Sequence, residues 1–498
     1  METNRLLTIG KANCTLISLL FFGSCAIGYD SPNGFDVGVN NTQVITPDSI
    51  SFIVNSDGDE ATISWPLIMG AKGYEVSFLN VDDPENPFVI DQYDKYLVDG
   101  CKMTAPVVED SKYRLEIRAL GDPDRGNTDD TEPIVYYVST LVESVATIPN
   151  GTDIYQYLQE HPIDSVNKEV AIDLEPGGIY TMSGQVDFKN QKMTFRGSKI
   201  NRATVNMINK GAFLTYAGLK IKYINFDMTA STSNSFLFMS KDNLPENIKS
   251  QYLGYKRNGA EIKNIYIIQD PIYIANCWFK DMPKSFIHDN EVDCAFWYFT
   301  IKDCIVQMKN SKGGPFVNFS KKGRCIKNIT FSNSTFYNTI TNNDYFIRYS
   351  NNSNANPEKV FGNTSSDYNS ANIYFSGCTF SQTFNNQNFV NNIPANYMYT
   401  TIEKCIFYDV SSVRRISLGN KTYKLNFWYA SPSMPKPDTS DPTQKDNSGA
   451  PFAAVYDPRF VGDITTSLDF SKENGGVNFK PQELQIIMVN SGDPRWLP

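Results

Sequence analysis

The segment Ile272-Tyr-Ile-Ala-Asn-Cys-Trp-Phe279 decides the fold. Its first four residues alternate like a short strand with one buried face. Asn276 then supplies a residue that tolerates left-handed backbone, Cys277 a small side chain and Phe279 a large apolar one. The same order returns in Leu219-Lys-Ile-Lys-Tyr-Ile-Asn-Phe226, Phe299-Thr-Ile-Lys-Asp-Cys-Ile-Val306 and Ile329-Thr-Phe-Ser-Asn-Ser-Thr-Phe336. It returns again in Ile373-Tyr-Phe-Ser-Gly-Cys-Thr-Phe380 and Thr400-Thr-Ile-Glu-Lys-Cys-Ile-Phe407. The last residues of the six segments step by 53, 27, 30, 44 and 27. A second series runs beside the first: Ser235-Phe-Leu-Phe238, Ser285-Phe-Ile-His288, Pro315-Phe-Val-Asn318, Tyr345-Phe-Ile-Arg348 and Asn388-Phe-Val-Asn391. Its phenylalanines step by 50, 30, 30 and 43.

Two series that share both long steps are two strands of one repeating unit. A period of 27–30 residues with short strands and polar turns predicts a parallel β-solenoid. Each coil buries its apolar side chains by stacking on neighbours ~4.8 Å away. The long steps then hold one coil plus an insertion each, at 241–262 and 351–366. Stacking places Asn276, Asp303, Asn333 and Gly377 at one bend, and Cys277, Cys304, Ser334, Cys378 and Cys405 in one inward ladder. Asp153-Ile-Tyr-Gln-Tyr-Leu158 predicts a short helix over the exposed edge of the stack, and 170–180 and 193–197 its first coils.

Upstream, residues 45–142 carry alternating segments at 51–54, 61–65, 73–78, 113–119 and 134–138, spaced by turn residues as in an antiparallel sandwich. Trp65, Tyr74 and a strand opening on Tyr113 in the form Tyr-x-Leu-x-Ile-x-Ala resemble a fibronectin type III domain. At the start, Arg5 and Lys11 precede an apolar run at 15–22 that ends in Gly23-Ser24-Cys25. This resembles a bacterial lipoprotein signal, with Phe22 where leucine is usual. The resemblance implies removal of 1–24, acylation of Cys25, a tether over 25–44 and lipid anchoring in the outer membrane. Residues 150–430 resemble pectin-lyase-like right-handed parallel β-helices. The tail 431–498, with Tyr456-Asp-Pro-Arg-Phe460 and Gly492-Asp-Pro-Arg-Trp496, resembles the closing segment of uncharacterised Bacteroidetes-type lipoproteins of polysaccharide-utilisation systems. The expected fold class is all-β: a fibronectin type III-like sandwich followed by a right-handed parallel β-helix.

Composition narrows the function. Lys plus Arg is 45 against 54 for Asp plus Glu, a net charge of −9 that makes the chain a poor candidate for gripping nucleic-acid phosphates. The 32 Phe and 28 Tyr within a 41% hydrophobic chain provide for a large core. His161 and His288 are the only histidines, which argues against a histidine-built metal or catalytic centre. Nine cysteines occur with no Cys-x-x-Cys pair; setting aside Cys14 and Cys25 leaves an odd seven, of which the ladder members Cys277, Cys304, Cys378 and Cys405 are read as small buried hydrophobes.

The pectin-lyase resemblance implies β-elimination on acidic polysaccharides, with calcium held by acidic residues and an Arg or Lys base. Two residues past the end of the first series stand Met228, Asp281, Met308, Asn338, Gln382 and Asp409. Only two are acidic, four coil steps or ~19 Å apart, too far to share a cation. Asp289, Glu291 and Asp293 are the remaining cation candidates, against a solvated turn. Arg348, Arg414 and Arg415 are the candidate bases, although arginine holds its proton too tightly to serve readily. No close carboxylate pair for glycoside hydrolysis is visible. The second series points elsewhere. Its middle positions are aliphatic and its third positions mostly polar, so strand alternation puts them on opposite faces. If the aliphatic set is core, Phe286, His288, Asn318, Arg348 and Asn391 face a glycan; the competing reading turns the Phe set inward. The chain thus reads as a surface lipoprotein that binds an extracellular polysaccharide along its β-helix, without a cofactor and within a glycan-uptake complex. The alternatives are a polysaccharide lyase on pectin-like chains, with calcium, and a structural or adhesive surface protein.

Overall fold

The computed structural model describes residues 43–55, 58–282, 284–309, 314–340, 344–363, 370–384, 389–410, 419–429 and 436–498. Cys25 and the signal segment lie outside them. The chain divides after Leu141 into two compact units.

In the first unit, period-two alternation builds two antiparallel sheets. One orders Ser51–Val54, Glu60–Ser64 and Lys102–Pro106. The other orders Phe88–Val89, Ala71–Asn80, Lys112–Gly121 and Ile134–Ser139, with Tyr96–Val98 also on Ala71–Asn80. Ala61, Ile63, Trp65, Tyr74, Val76, Phe78, Leu115 and Ile117 from both sheets form one buried cluster. The rings of Trp65 and Tyr74 meet edge to face at 5.3 Å, and Phe78 stacks on Tyr113 at 5.0 Å.

The second unit is a parallel β-helix. Among the described residues, nine coils run through 170–187, 193–215, 219–239, 272–288, 294–319, 326–349, 371–391, 398–408 and 420–429, numbered 1 to 9 below. Coils 1 to 7 each give one strand to each of three parallel sheets; coils 8 and 9 give strands to the first two. The predicted register is the observed one. Leu219, Ile272, Phe299, Ile329, Ile373 and Thr400 pair in sequence along the first sheet. Phe226, Phe279, Val306, Phe336, Phe380 and Phe407 do so along the second. The third sheet pairs Leu237, Ile287, Val317, Ile347 and Val390.

The bend between the first two sheets explains the motif. Asn276, Asp303, Asn333 and Gly377 have φ of 55°, 53°, 48° and 58°. Tyr223, Lys404 and Leu425 take the same left-handed turn at 59°, 51° and 58°, where a side chain costs about 1 kcal/mol. The next residue points inward and is spoken for. The amide of Cys277 donates to Cys304 Sγ at 3.5 Å, that of Cys304 to Ser334 Oγ at 3.0 Å, and that of Cys405 to Asn426 Oδ1 at 3.0 Å. In turn, Cys304 Sγ donates to Lys302 O at 3.1 Å and Ser334 Oγ to Ser332 O at 2.7 Å. The side chains of Cys304, Ser334 and Asn426 thereby satisfy amides that the bend takes out of the sheet ladder. Burial pushes the Cys277 thiol up to about 12, so it is held as an inert S–H. The cysteines at 101, 277, 294, 304, 325, 378 and 405 are all free thiols.

Two features close the stack. The helix Ile154–Glu160, capped by Asp153 Oδ1 accepting from Gln156 N at 3.1 Å, packs on coil 1. The tail first adds Ala454–Val455 to the second sheet beside Phe427–Trp428. It then runs back along that sheet's outer face. Leu468, Val477, Phe479 and Trp496 pack on Trp278, Ile305 and Tyr337, and Ile486 on Ile406 and Phe427. Polar ties fix it: Trp496 Nε1 donates to Thr335 Oγ1 at 2.7 Å, Thr335 Oγ1 donates to Asp493 Oδ2 at 2.8 Å, and Leu468 N donates to Gln307 Oε1 at 2.9 Å. Burial raises Asp493 to about 6 against the pull of Arg495. The closing segment therefore covers a flank as well as an end.

The insertions meet each other through their described residues within 240–265 and 350–363. Arg257 pairs with Glu358 at 3.3 Å, and Asn258 and Asn363 exchange bonds of 2.9 and 2.8 Å. Tyr255 and Phe361 pack with Trp297 of coil 5, whose Nε1 donates to Tyr255 Oη at 2.8 Å.

Candidate functional site

With the second sheet covered by the tail, the outer faces of the third and first sheets are the flanks on which a ligand could lie. On the third, the polar positions of the second series form one column. Phe238 pairs with His288, His288 with Asn318, Asn318 with Arg348, and Arg348 with Asn391. The four steps span ~19 Å.

Phe286 is a correction. It is fully buried, as are Phe236, Phe346 and Phe389, with Phe316 nearly so. Ile287 is also buried in the same core. Both side chains point inward because the chain bends between them. The amides of Phe286 and Ile287 donate to the same carbonyl, Phe316 O, at 2.9 and 3.2 Å. The amides of Phe346 and Ile347 share Phe389 O in the same way, at 2.9 and 3.0 Å. Strand alternation resumes only at the third position, so His288, Asn318, Arg348 and Asn391 form the column without an aromatic ladder beside them.

Each member has local partners. His288 Nδ1 accepts from Asn290 N at 2.7 Å, which leaves the ring proton on Nε2 when the imidazole is neutral. Burial lowers its pKa, against the pull of Asp289, and favours that neutral form. Asn318 donates to Ser285 Oγ at 3.2 Å and accepts from Ser320 Oγ at 2.6 Å. The Arg348 guanidinium sits 4.9 Å from the Tyr345 ring centre, and its Nε–H is buried without an acceptor. Asn391 Oδ1 accepts from Asn392 N at 2.9 Å. The other base candidates, Arg414 and Arg415, fall outside the described residues.

The cation candidates have other work. Asp289 is completely buried, and its Oδ2 accepts from the amides of Lys321, Lys322 and Gly323 at 3.0, 2.9 and 2.7 Å. Its Oδ1 accepts from Glu291 N at 3.1 Å. Both oxygens of Asp293 hold the Arg324 guanidinium. Glu291 itself lies on the exposed turn. These carboxylates pin one turn to the next, and among the described residues no group of three or more His, Cys, Asp or Glu could hold a metal ion.

The first sheet presents a face the sequence reading did not single out. Tyr298, Asn328, Asn372, Tyr399 and Asn420 pair in sequence as one column. Beside it runs Tyr273, Thr300, Thr330, Tyr374, Thr401 and Thr422. Tyr298 and Tyr399 are 42% and 49% exposed. Asn372 Nδ2 donates to Asn328 Oδ1 at 2.9 Å, and Tyr374 Oη donates to Glu403. The available signal was the residue type at the outward positions of the motif, tyrosine at 273 and 374. Tyr298 was hidden because its strand begins at Cys294, five residues before the repeat segment.

Residues 1–178 match a family model described as a domain of unknown function, and residues 178–339 match a second, Domain of unknown function (DUF4957). Among solved structures, a family 28 exopolygalacturonase from Yersinia enterocolitica is similar at 10% identity and TM-score 0.18, covering 78% of this chain and 75% of its own. The pectate lyase PelI of Erwinia chrysanthemi aligns at 8% identity and TM-score 0.14, over 58% of this chain and 86% of its own. A mutant of the PL6 family alginate lyase AlyGC aligns at 8% identity and TM-score 0.19, over 71% of this chain and 58% of its own. No curated protein matches the chain.

Proposed function

We propose that this protein is a surface lipoprotein that holds an extracellular polysaccharide along the flank of its β-helix without cleaving it. The observation that carries the reading is the in-register column His288, Asn318, Arg348 and Asn391. Its half-buried members His288, Arg348 and Asn391, with the buried Asn318 between them, set polar groups at regular spacing along the flank, and among its described members there is no carboxylate. Glycoside hydrolysis uses two such groups. The lipobox-like Gly23-Ser24-Cys25 supports acyl anchoring in the outer membrane, the tether 25–44 reach, and the fibronectin-like unit the role of a spacer within a glycan-uptake complex.

Affinity electrophoresis of the full chain through gels containing pectic and neutral polysaccharides tests the reading. At least one glycan retards the wild type, and Asn318→Ala/Arg348→Ala weakens that retardation about tenfold, the loss of one to two modest polar contacts. Unchanged retardation of the double variant eliminates this column. Release of unsaturated uronate from a pectic substrate, measured by absorbance with and without calcium, would replace capture by β-elimination.

A further inference from the structure

The outer face of the first sheet repeats itself. Tyr273 of coil 4 and Tyr298 of coil 5 form a diagonal pair on adjacent columns; Tyr374 of coil 7 and Tyr399 of coil 8 form the same pair three coils on. Each member lies 101 residues after its counterpart. The offset also relates Cys277 to Cys378, Phe279 to Phe380, Thr300 to Thr401, Ile301 to Ile402 and Cys304 to Cys405. Core residues recur because they fill equivalent space. An exposed ring fills none, so packing gives no reason for Tyr298 and Tyr399 to recur at 42% and 49% exposure. A ligand that itself repeats along the coil axis does, at three steps or ~14 Å.

The chemistry between the two pairs narrows that ligand. Thr300, Thr330, Asn328 and Asn372 are uncharged hydroxyl and amide groups. The Asn328–Asn372 bond orients both amides along the column. Glu403, the acidic side chain at the edge, is engaged by Tyr374 Oη and by Ser376 Oγ at 3.2 Å. In a chain that is 20% charged, a strip of tyrosine, asparagine and threonine is electrically matched to a neutral partner. Its lysines stand at the margin: Lys220 continues the Tyr273 column and pairs with Glu169 at 2.9 Å, and Lys222 lies 5.2 Å from the Tyr273 ring centre. Lys302 and Lys424 stand on the outer column with Glu403, so the strip between the two tyrosine pairs is itself uncharged. Aromatic faces flanked by amide donors suit the apolar faces and hydroxyls of sugar rings.

We propose that the first-sheet face is a second glycan platform, separate from the His288–Asn391 column, that takes a neutral polysaccharide lying along the coil axis with Tyr298 and Tyr399 as its two stacking rings. This rests on the reading of the chain as a polysaccharide binder.

The test uses the full chain in affinity gels of a neutral β-glucan, a neutral galactomannan and polygalacturonate, with sedimentation velocity alongside. The wild type is retarded by a neutral polymer. Tyr298→Ala/Tyr399→Ala weakens that retardation at least tenfold, and Tyr298→Phe/Tyr399→Phe keeps it within about twofold, because the ring remains. Because both side chains are exposed strand positions, their truncation leaves the core intact, which an unchanged melting temperature checks. Retardation of the alanine pair equal to wild type, while Asn318→Ala/Arg348→Ala has lost it, overturns this platform and leaves the first reading standing. Retardation of the wild type by no polymer overturns both. A fall in sedimenting mass with the alanine pair makes the face a self-association surface and overturns the platform as well.

Discussion

Phe346→Ala lowers the stability of the β-helix by about 4 kcal/mol, the upper part of the range for a buried phenylalanine. The ring lies 4.8 Å from Phe316 and 4.8 Å from Phe389 along its own column, and 4.9 Å from Phe331 and 5.5 Å from Phe336 across the core. It also meets Phe380 at 5.4 Å and Phe384 at 5.1 Å. Removing it leaves a cavity in coil 6 that coils 5 and 7 line with rings already engaged with one another, so little collapse fills it. Phe346→Leu, which restores much of the apolar volume, costs roughly half as much. Hydrogen exchange at the amides of coils 5 to 7 reads the loss directly, because a solenoid opens coil by coil. A cost below about 1 kcal/mol would place the ring outside and reverse the two faces of the third sheet.

Asp289→Ala costs about 3 kcal/mol and loosens the turn 320–325. Three amides of that turn donate to one buried carboxylate oxygen, and bonds to a charged acceptor are stronger than average. Truncation leaves Gly323 N, in a buried position, without its acceptor. The same variant separates the anchoring role from cation binding. Anchoring predicts a lower melting temperature in Asp289→Ala and no response of the wild type to calcium or chelator. A calcium-dependent melting temperature that vanishes in the variant would restore the cation site.

Much of the architecture was legible because its causes are local. Alternation fixed which residues of 272–279 and its relatives face inward, and Asn276, Asp303, Asn333 and Gly377 marked the bend through their tolerance of positive φ. What was illegible depends on other coils. Phe286 and Ile287 share an inward face because two amides converge on a carbonyl of the next coil, which alternation within one strand does not encode. Asp289 looks like part of an acidic turn until the amides of 321–323 are brought onto it. The tail residues Leu468, Val477, Phe479 and Trp496 follow no period, since they gather into one cluster on the outer face of the second sheet rather than along a strand. Tyr298 sits ahead of the repeat segment, on a strand the repeat alone starts too late.

Consecutive coils pair rung on rung, and a cysteine pair measures that most directly. Thr300 and Thr330 are direct partners on the outer face of the first sheet, whereas Ser332 lies two residues along from Thr330 on the same face. Partners ~4.8 Å apart fall within the Cα range that a disulfide bridges, and positions beyond about 7 Å do not. The native ladder cysteines are buried and stay out of the reaction. Mild oxidation is predicted to cross-link Thr300→Cys/Thr330→Cys rapidly and Thr300→Cys/Ser332→Cys hardly at all. Equal rates for the two pairs, or a faster second pair, would contradict the ladder and with it both glycan-binding faces.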